Sequence, residues 1–160
     1  MNQSLLSMLP DATWLDQNQI AYSTQDFTQG WVILYSYPKD NTPGCTRQAC
    51  DLRDQWTHWS QHQVKIFGVS PDSVESHASF ASQYTLPFPL LSDPQLLICK
   101  ALGVWGEQRW KDHVYMGLER STWIFFEGRC MAVFRQVSVS EHWNEVWEKW
   151  QALHLSLSSD

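Results

Sequence analysis

The chain has 160 residues, 43% of them hydrophobic and 14% aromatic, with a formal net charge of −6. That length suits one compact domain spanning residues 1–160, large enough to build a core without disulfide staples, and ten tryptophans argue against disorder. The acidic balance, with no Lys/Arg cluster, excludes a nucleic-acid footprint, and no apolar run reaches the ~18–20 residues of a membrane span.

In chain order, residues 14–22 suggest a small hairpin. Trp31-Val32-Ile33-Leu34-Tyr35-Ser36-Tyr37 is apolar, β-branched and aromatic, as in a strand buried on both faces, and it stops at Pro38. The turn residues Lys39 to Gly44 precede a helix expected over 45–61, where Leu52, Trp56 and Trp59 recur at helical spacing. Residues 64–70 form a second buried strand. Asp72 and Glu75 have capping-box spacing and open a helix to about Tyr84. Asp93-Pro94 suits an N-cap followed by proline at the first helical position, in a helix that carries Cys99 and ends near Gly103. Residues 121–126 and 131–137 flank Glu127-Gly128-Arg129 as a hairpin. Trp143, Val146, Trp147, Trp150 and Leu153 then mark an amphipathic closing helix. Strand–helix–strand–helix followed by hairpin–helix is the order of a thioredoxin-like α/β fold, a central mixed sheet flanked by helices.

The opening residues lack the basic and apolar regions of a secretory signal, so a cytoplasmic location is expected. In that reducing compartment the four cysteines, Cys45, Cys50, Cys99 and Cys130, are reactive, metal-bound or buried rather than permanently paired. Cys45 follows a strand and a Pro/Gly turn and begins a helix, where unpaired N–H groups and the dipole favour a thiolate. The alternative for any single cysteine is a small buried hydrophobe. That alternative is preferred for Cys99, set among Leu96, Leu97, Ile98 and Leu102, and for Cys130, at the start of a strand. Zinc is a poor competitor, because C-x4-C is weak ligand spacing and His58/His62 lack the Glu of a zincin. Those histidines read as a solvated helix face.

The stretch Tyr37-Pro38-Lys39-Asp40-Asn41-Thr42-Pro43-Gly44-Cys45-Thr46 resembles the peroxiredoxins, and within them the bacterioferritin-comigratory-protein or peroxiredoxin Q subfamily. Pro38, Thr42 and Cys45 meet the P-x-x-x-T-x-x-C pattern. Gly103-Val104-Trp105-Gly106-Glu107 and Arg120-Ser121-Thr122 extend the resemblance to most of the chain. It departs from the subfamily at Asp16-Gln17-Asn18-Gln19, where an acidic-Gly turn is usual.

The resemblance implies a thiol peroxidase for hydrogen peroxide and organic hydroperoxides, with Cys45 as the peroxidatic cysteine. Thr42 would share a hydrogen bond with the thiolate and orient the peroxide, Pro38 would limit solvent access, and Arg120 would stabilise the thiolate and the departing oxygen. Without the resemblance, Thr42 is only a helix N-cap and Arg120 a surface partner of Glu119. Cys50 stands where the subfamily often carries its resolving cysteine. On an ideal helix the two cysteines lie about 140° apart with a rise of roughly 7.5 Å, beyond the ~7 Å Cα separation that a disulfide tolerates. Pairing therefore requires the first turns to unwind, and residues 46–50 are expected to lack an apolar stripe that resists it. The resemblance implies no metal or organic cofactor, a dithiol reductant such as thioredoxin, and a monomer. A thiol–disulfide oxidoreductase is the competing enzyme class but normally uses C-x-x-C, which is absent here. A holdase on the same fold is the non-enzymatic alternative. Trp105 and Trp110 are candidates for the rim of the site.

Overall fold

The computed structural model describes residues 4–158. A short helix α1 (Leu5–Met8) leads into strands β1 (Thr13–Leu15) and β2 (Ala21–Ser23) and a 3-10 turn (Thr24–Phe27). β3 (Trp31–Ser36), α2 (Pro43–Asp54), α3 (Trp56–Gln61), β4 (Lys65–Ser70), α4 (Val74–Tyr84), β5 (Leu90–Ser92) and α5 (Leu97–Ala101) follow. The chain then runs through β6 (Trp105–Trp110), β7 (His113–Leu118), β8 (Ser121–Phe126), β9 (Arg129–Phe134) and the closing helix α6 (His142–Ser158). The central sheet has the order β5-β4-β3-β8-β9, and β1–β2 and β6–β7 form separate two-stranded sheets. β3, β4 and β5 are parallel, whereas β8 runs antiparallel to β3 and to β9. This is the mixed α/β arrangement expected of a thioredoxin-like chain.

β3 is buried along its whole length because its two faces feed two cores. Trp31, Ile33 and Tyr35 join residues of α2, α3, α4 and α6 on one face. Val32 and Leu34 join α1, α5 and the β1 region on the other. The tryptophans explain themselves in the first core. Trp59 packs on Trp147 and Trp150 at ring-centroid distances of 4.8 and 5.8 Å, and Trp31 meets Trp150 at 6.0 Å. Large aromatic areas thus fasten α6 to α3 and to the sheet. His58 and His62 are exposed as expected, yet their rings rest on Trp147, and His62 also on Trp150. At Gly68 an added Cβ would come within 2.9 Å of both Leu90 and Tyr35, so only glycine lets these two side chains close over the strand.

Several boundaries differ from expectation. The helix expected over 45–61 begins earlier, at Pro43, and is broken at Gln55 (φ −98°, ψ 2°) into α2 and α3. No Pro or Gly marks the break. There the Gln55 side chain bonds Asn144 of α6 at 2.7 Å, and α3 turns Trp59 fully into the core. The N-cap of α4 is Ser73, whose Oγ accepts from Ser76 N at 3.1 Å, not Asp72. Asp72 instead accepts from the backbone N–H of Asp40. α5 begins only at Leu97 with Leu96 at its N-cap, so neither Asp93 nor Pro94 holds the expected position, although the Asp93 carboxylate accepts from the N–H groups of Leu97 and Cys99. The second strand of the late hairpin starts at Arg129, because the tight turn needs only Glu127 and Gly128, both at positive φ. The β6–β7 hairpin has no counterpart in the expected elements. Most of its residues are exposed, so burial leaves little period-two alternation to read. Trp105 packs into the core on the sheet face opposite Cys45, and Trp110 is 61% exposed beneath the Lys111 ammonium. Neither supports the rim role.

Candidate active site

β3 ends beside the start of β8, because the antiparallel register pairs Ser36 with Ser121. Ser36 Oγ donates to the Glu119 carbonyl at 2.8 Å and accepts from Ser121 N at 3.1 Å, locking that corner. The residue between them, Arg120, is thereby delivered to the end of the sheet from which the loop to α2 departs. Its Nη2 donates to Cys45 Sγ at 3.3 Å, and its Nη1 to Gln48 Oε1 at 2.6 Å. Topology, rather than sequence proximity, brings together groups 75 residues apart. Glu119 pairs with Arg135 instead, so Arg120 is not a surface ion pair with its neighbour.

Cys45 is the third residue of α2, 2% exposed, with Thr42 at the N-cap and Pro43 first in the helix. The helix N-terminus and the guanidinium both favour negative charge at its sulfur. Gly44 makes room for the arginine, since a Cβ there would lie 3.1 Å from Nη2. The Thr42 hydroxyl makes no capping bond and donates to the Lys39 carbonyl at 2.9 Å rather than to Cys45, so the expected bond to the sulfur is not formed and its oxygen is left to accept. Pro38 lies exposed in the same loop. Beneath the site Tyr35 is fully buried, and burial together with the nearby Cys45 and Asp40 keeps it a neutral phenol. Among the described residues, its hydroxyl and Gln48 Nε2 are buried without a partner.

Cys50, half-buried on α2, is a free thiol like the other three cysteines. Burial pushes its titration up against the pull of Arg53, so in the folded helix it is held as the less nucleophilic thiol. Cys99 and Cys130 lie in the core of the opposite sheet face. Burial raises both, Cys99 strongly and with help from Asp93. The expectation that residues 46–50 lack an anchor is corrected here. Gln48 and Ala49 are 0% and 1% exposed. Trp143 Nε1 of α6 donates to the Gln48 carbonyl at 2.9 Å, while Arg120 holds the Gln48 side chain. Gln48 was legible in principle, one helical turn from Cys45 and therefore on the same face. Trp143 and the neighbouring His142 come from the far end of the chain, and no local signal announces them.

His142 Nε2 meets the Thr122 hydroxyl at 2.8 Å, and burial, then the Arg120 charge, pushes its titration from the usual 6.5 down to about 4. The folded value lies below the unfolded one, so between these two pH values only the unfolded chain takes up this proton. Stability is therefore lost as pH falls through that window, by up to about 3 kcal/mol from this group. His142→Gln should flatten the pH dependence of the denaturation midpoint between neutrality and pH ~4; an unchanged slope would remove His142 from the account.

Comparison with known proteins identifies the family of this fold. The profile of the AhpC/TSA family matches residues 6–130. A putative peroxiredoxin Bcp from Coxiella burnetii is 44% identical over 125 residues, covering 78% of this chain and 83% of that protein. The structure of a Xylella fastidiosa PrxQ mutant superposes with a TM-score of 0.89 at 33% identity, covering 96% of both chains. The bacterioferritin comigratory protein of Xanthomonas campestris, studied for alkyl peroxide reduction, gives 0.84 at 32% identity, over 90% of this chain and 95% of its own. The fold and these relatives define the class as a thiol-dependent peroxidase. The chain belongs to the AhpC/TSA family and, within it, to the Bcp/PrxQ peroxiredoxins. No described helix is long and apolar enough to cross a membrane.

Proposed function

We propose that Cys45 is the peroxidatic cysteine of this peroxidase and Cys50 its resolving partner, with hydrogen peroxide and organic hydroperoxides as substrates. The observation that carries this reading is the 3.3 Å contact from Arg120 to Cys45 Sγ at the N-terminus of α2. The Cys45 thiolate attacks the terminal oxygen of the hydroperoxide, and the O–O bond breaks. The thiolate becomes a sulfenic acid, and the departing alkoxide or hydroxide takes a proton to leave as alcohol or water. Thr42, its proton engaged by Lys39, offers a lone pair to the peroxide O–H and aligns the O–O axis. Arg120, permanently charged, faces the charge that moves onto the departing oxygen. Pro38, in the same loop, limits the access of water to Cys45.

The sulfenic acid is then attacked at sulfur by Cys50, with water leaving and a disulfide forming. On a helix this pairing needs α2 to unwind through Cys50. Doing so breaks the Trp143–Gln48 bond and exposes Ala49, and it restores to Cys50 the solvent that favours its thiolate. A dithiol reductant, with thioredoxin the expected one, regenerates both thiols, and a monomeric cytoplasmic enzyme suits this cycle. With thioredoxin, thioredoxin reductase and NADPH, the wild type should oxidise NADPH on addition of either hydrogen peroxide or cumene hydroperoxide. Turnover with dithiothreitol but none with thioredoxin would reject that reductant.

A further inference from the structure

The loop between β3 and α2 is surface chain with two buried residues, Tyr37 where it leaves the strand and Asp40 at its middle. Pro38, Lys39, Asn41 and Pro43 are exposed, while Asp40 is 7% exposed. Its carboxylate enters a protein-lined site where Oδ1 accepts from Tyr37 Oη at 2.6 Å. Oδ2 accepts from Ser76 Oγ at 2.8 Å and meets His77 Nδ1 at 2.7 Å. The backbone N–H of Asp40 donates to Asp72. His77, on α4, is 0% exposed, and its other nitrogen faces the Leu91 carbonyl at 3.1 Å. A carbonyl only accepts, so Nε2 carries a proton. The hydrogen bonds from His77, Tyr37 and Ser76 keep Asp40 ionised, lowering its titration against the cost of burial. Nδ1 faces the Asp40 carboxylate, so the buried His77 ring bridges the loop and the backbone of β5. Asp40, Asp72 and His77 also cluster closely enough to suggest a metal site. Their atoms, however, are engaged by one another and by Tyr37, Ser70 and Ser76.

Downstream of Cys45, α2 is held at Gln48 by Arg120 and Trp143. Upstream, Tyr37 N bonds the Val69 carbonyl and the exposed Asn41 accepts from Tyr84 Oη, while the buried Asp40 carries the densest set of bonds between the loop and the body of the protein. We propose that Asp40 and His77 are positioning residues for the peroxide reaction. The buried pair fastens the loop carrying Pro38 and Thr42 to α4 and so sets where the first turn of α2 presents the Cys45 thiol to Arg120 and to the peroxide. The proposal rests on Cys45 being the peroxide-reactive thiol. Misplacement of reacting groups by about 1 Å costs on the order of 10²-fold in rate, so a loosened anchor has a kinetic signature.

The test compares two single-turnover reactions of the reduced enzyme, with hydrogen peroxide and with iodoacetamide. Alkylation needs an accessible thiolate but no peroxide alignment. In His77→Gln and Asp40→Asn the peroxide rate should fall about tenfold or more while alkylation of Cys45 stays within about threefold. The double variant should lose no more than the worse single one, because the two residues act as a unit. Ser76→Ala removes one bond to Asp40 from a half-buried position and should slow the peroxide reaction about two- to fourfold, with alkylation unchanged. Folded variants with wild-type peroxide rates, or parallel changes in both reactions, would overturn the proposal. If both of the pair's variants fail to fold, Ser76→Ala decides, and an unchanged rate there overturns it. Cys45→Ser, run alongside, separates the two readings. A Cys45→Ser protein that still consumes peroxide overturns the assignment of Cys45 and the anchor with it. An inert one, with unaltered anchor variants, overturns the anchor alone.

Discussion

Replacing Cys45 with serine is expected to abolish peroxide turnover and single-equivalent peroxide consumption while leaving the protein folded. Oxygen for sulfur is nearly isosteric, so the 2% exposed site need not repack and α2 keeps its cap region. A serine hydroxyl at that position is un-ionised at neutral pH and cannot replace a thiolate as the nucleophile toward an O–O bond. The three other thiols offer no substitute in the folded protein. Cys99 and Cys130 are buried on the opposite sheet face, and Cys50 is held as a thiol by burial. Peroxide loss followed by a peroxide-selective electrode, beside a thermal melt, reads both halves of the expectation. Residual turnover above a few percent of wild type would reassign the nucleophile.

Arg120→Met is expected to lower kcat/KM for peroxide on the order of 10²-fold, the usual cost of removing a preorganised donor to a reacting centre. The loss has two parts. The guanidinium no longer faces the sulfur and the departing oxygen, and Gln48 Oε1 loses its 2.6 Å donor, which loosens the middle of α2. Arg120→Lys should fall in between, since an ammonium keeps the charge but cannot hold Cys45 and Gln48 in one planar fork. Stopped-flow measurement at several reductant concentrations isolates the peroxide step. Rates within about threefold of wild type for Arg120→Met would contradict the electrostatic role of Arg120.

The parts of this fold that were legible in the sequence are those with strong local patterns. β3 could be read from its uninterrupted apolar run, and β8 from its β-branched and aromatic residues. α6 was evident from tryptophans at helical spacing, because each of these elements buries a continuous face. The break at Gln55 was not legible, since it falls at a residue that is neither Pro nor Gly and coincides with the long-range contact to Asn144 and the burial of Trp59. The β6–β7 hairpin escaped for the opposite reason: it is largely solvated and owes little to hydrophobic pattern.

At the site, Pro38, Thr42, Cys45 and Cys50 lie within thirteen residues of sequence and were found together. Arg120 is legible only from the Ser121-Thr122 that follow it, and the antiparallel β3–β8 register explains why it reaches the site. Asp40–His77, Trp143–Gln48 and His142–Thr122 are long-range hydrogen-bonded pairs of ordinary residues, visible only after folding. These contacts also change the energetics read from sequence. Residues 46–50 are anchored rather than loose, so forming a Cys45–Cys50 bond means giving up the Trp143 bond and the burial of Ala49. Resolution is therefore expected to be slow enough for a sulfenic acid to persist briefly before it closes.

Which sulfur atoms join after one turnover tests the cycle most directly. Reduced wild-type protein is given one equivalent of hydrogen peroxide, alkylated, digested without reduction, and mapped by mass spectrometry beside Cys50→Ser. The wild type should lose the mass of two hydrogens before alkylation and yield a single intramolecular Cys45–Cys50 disulfide. Cys50→Ser should gain the mass of one added oxygen on Cys45, trapped as sulfenic acid and advancing to sulfinic acid under excess peroxide. A bond from Cys45 to Cys99 or Cys130, an intermolecular disulfide, or oxidation that leaves Cys45 untouched would contradict the cycle.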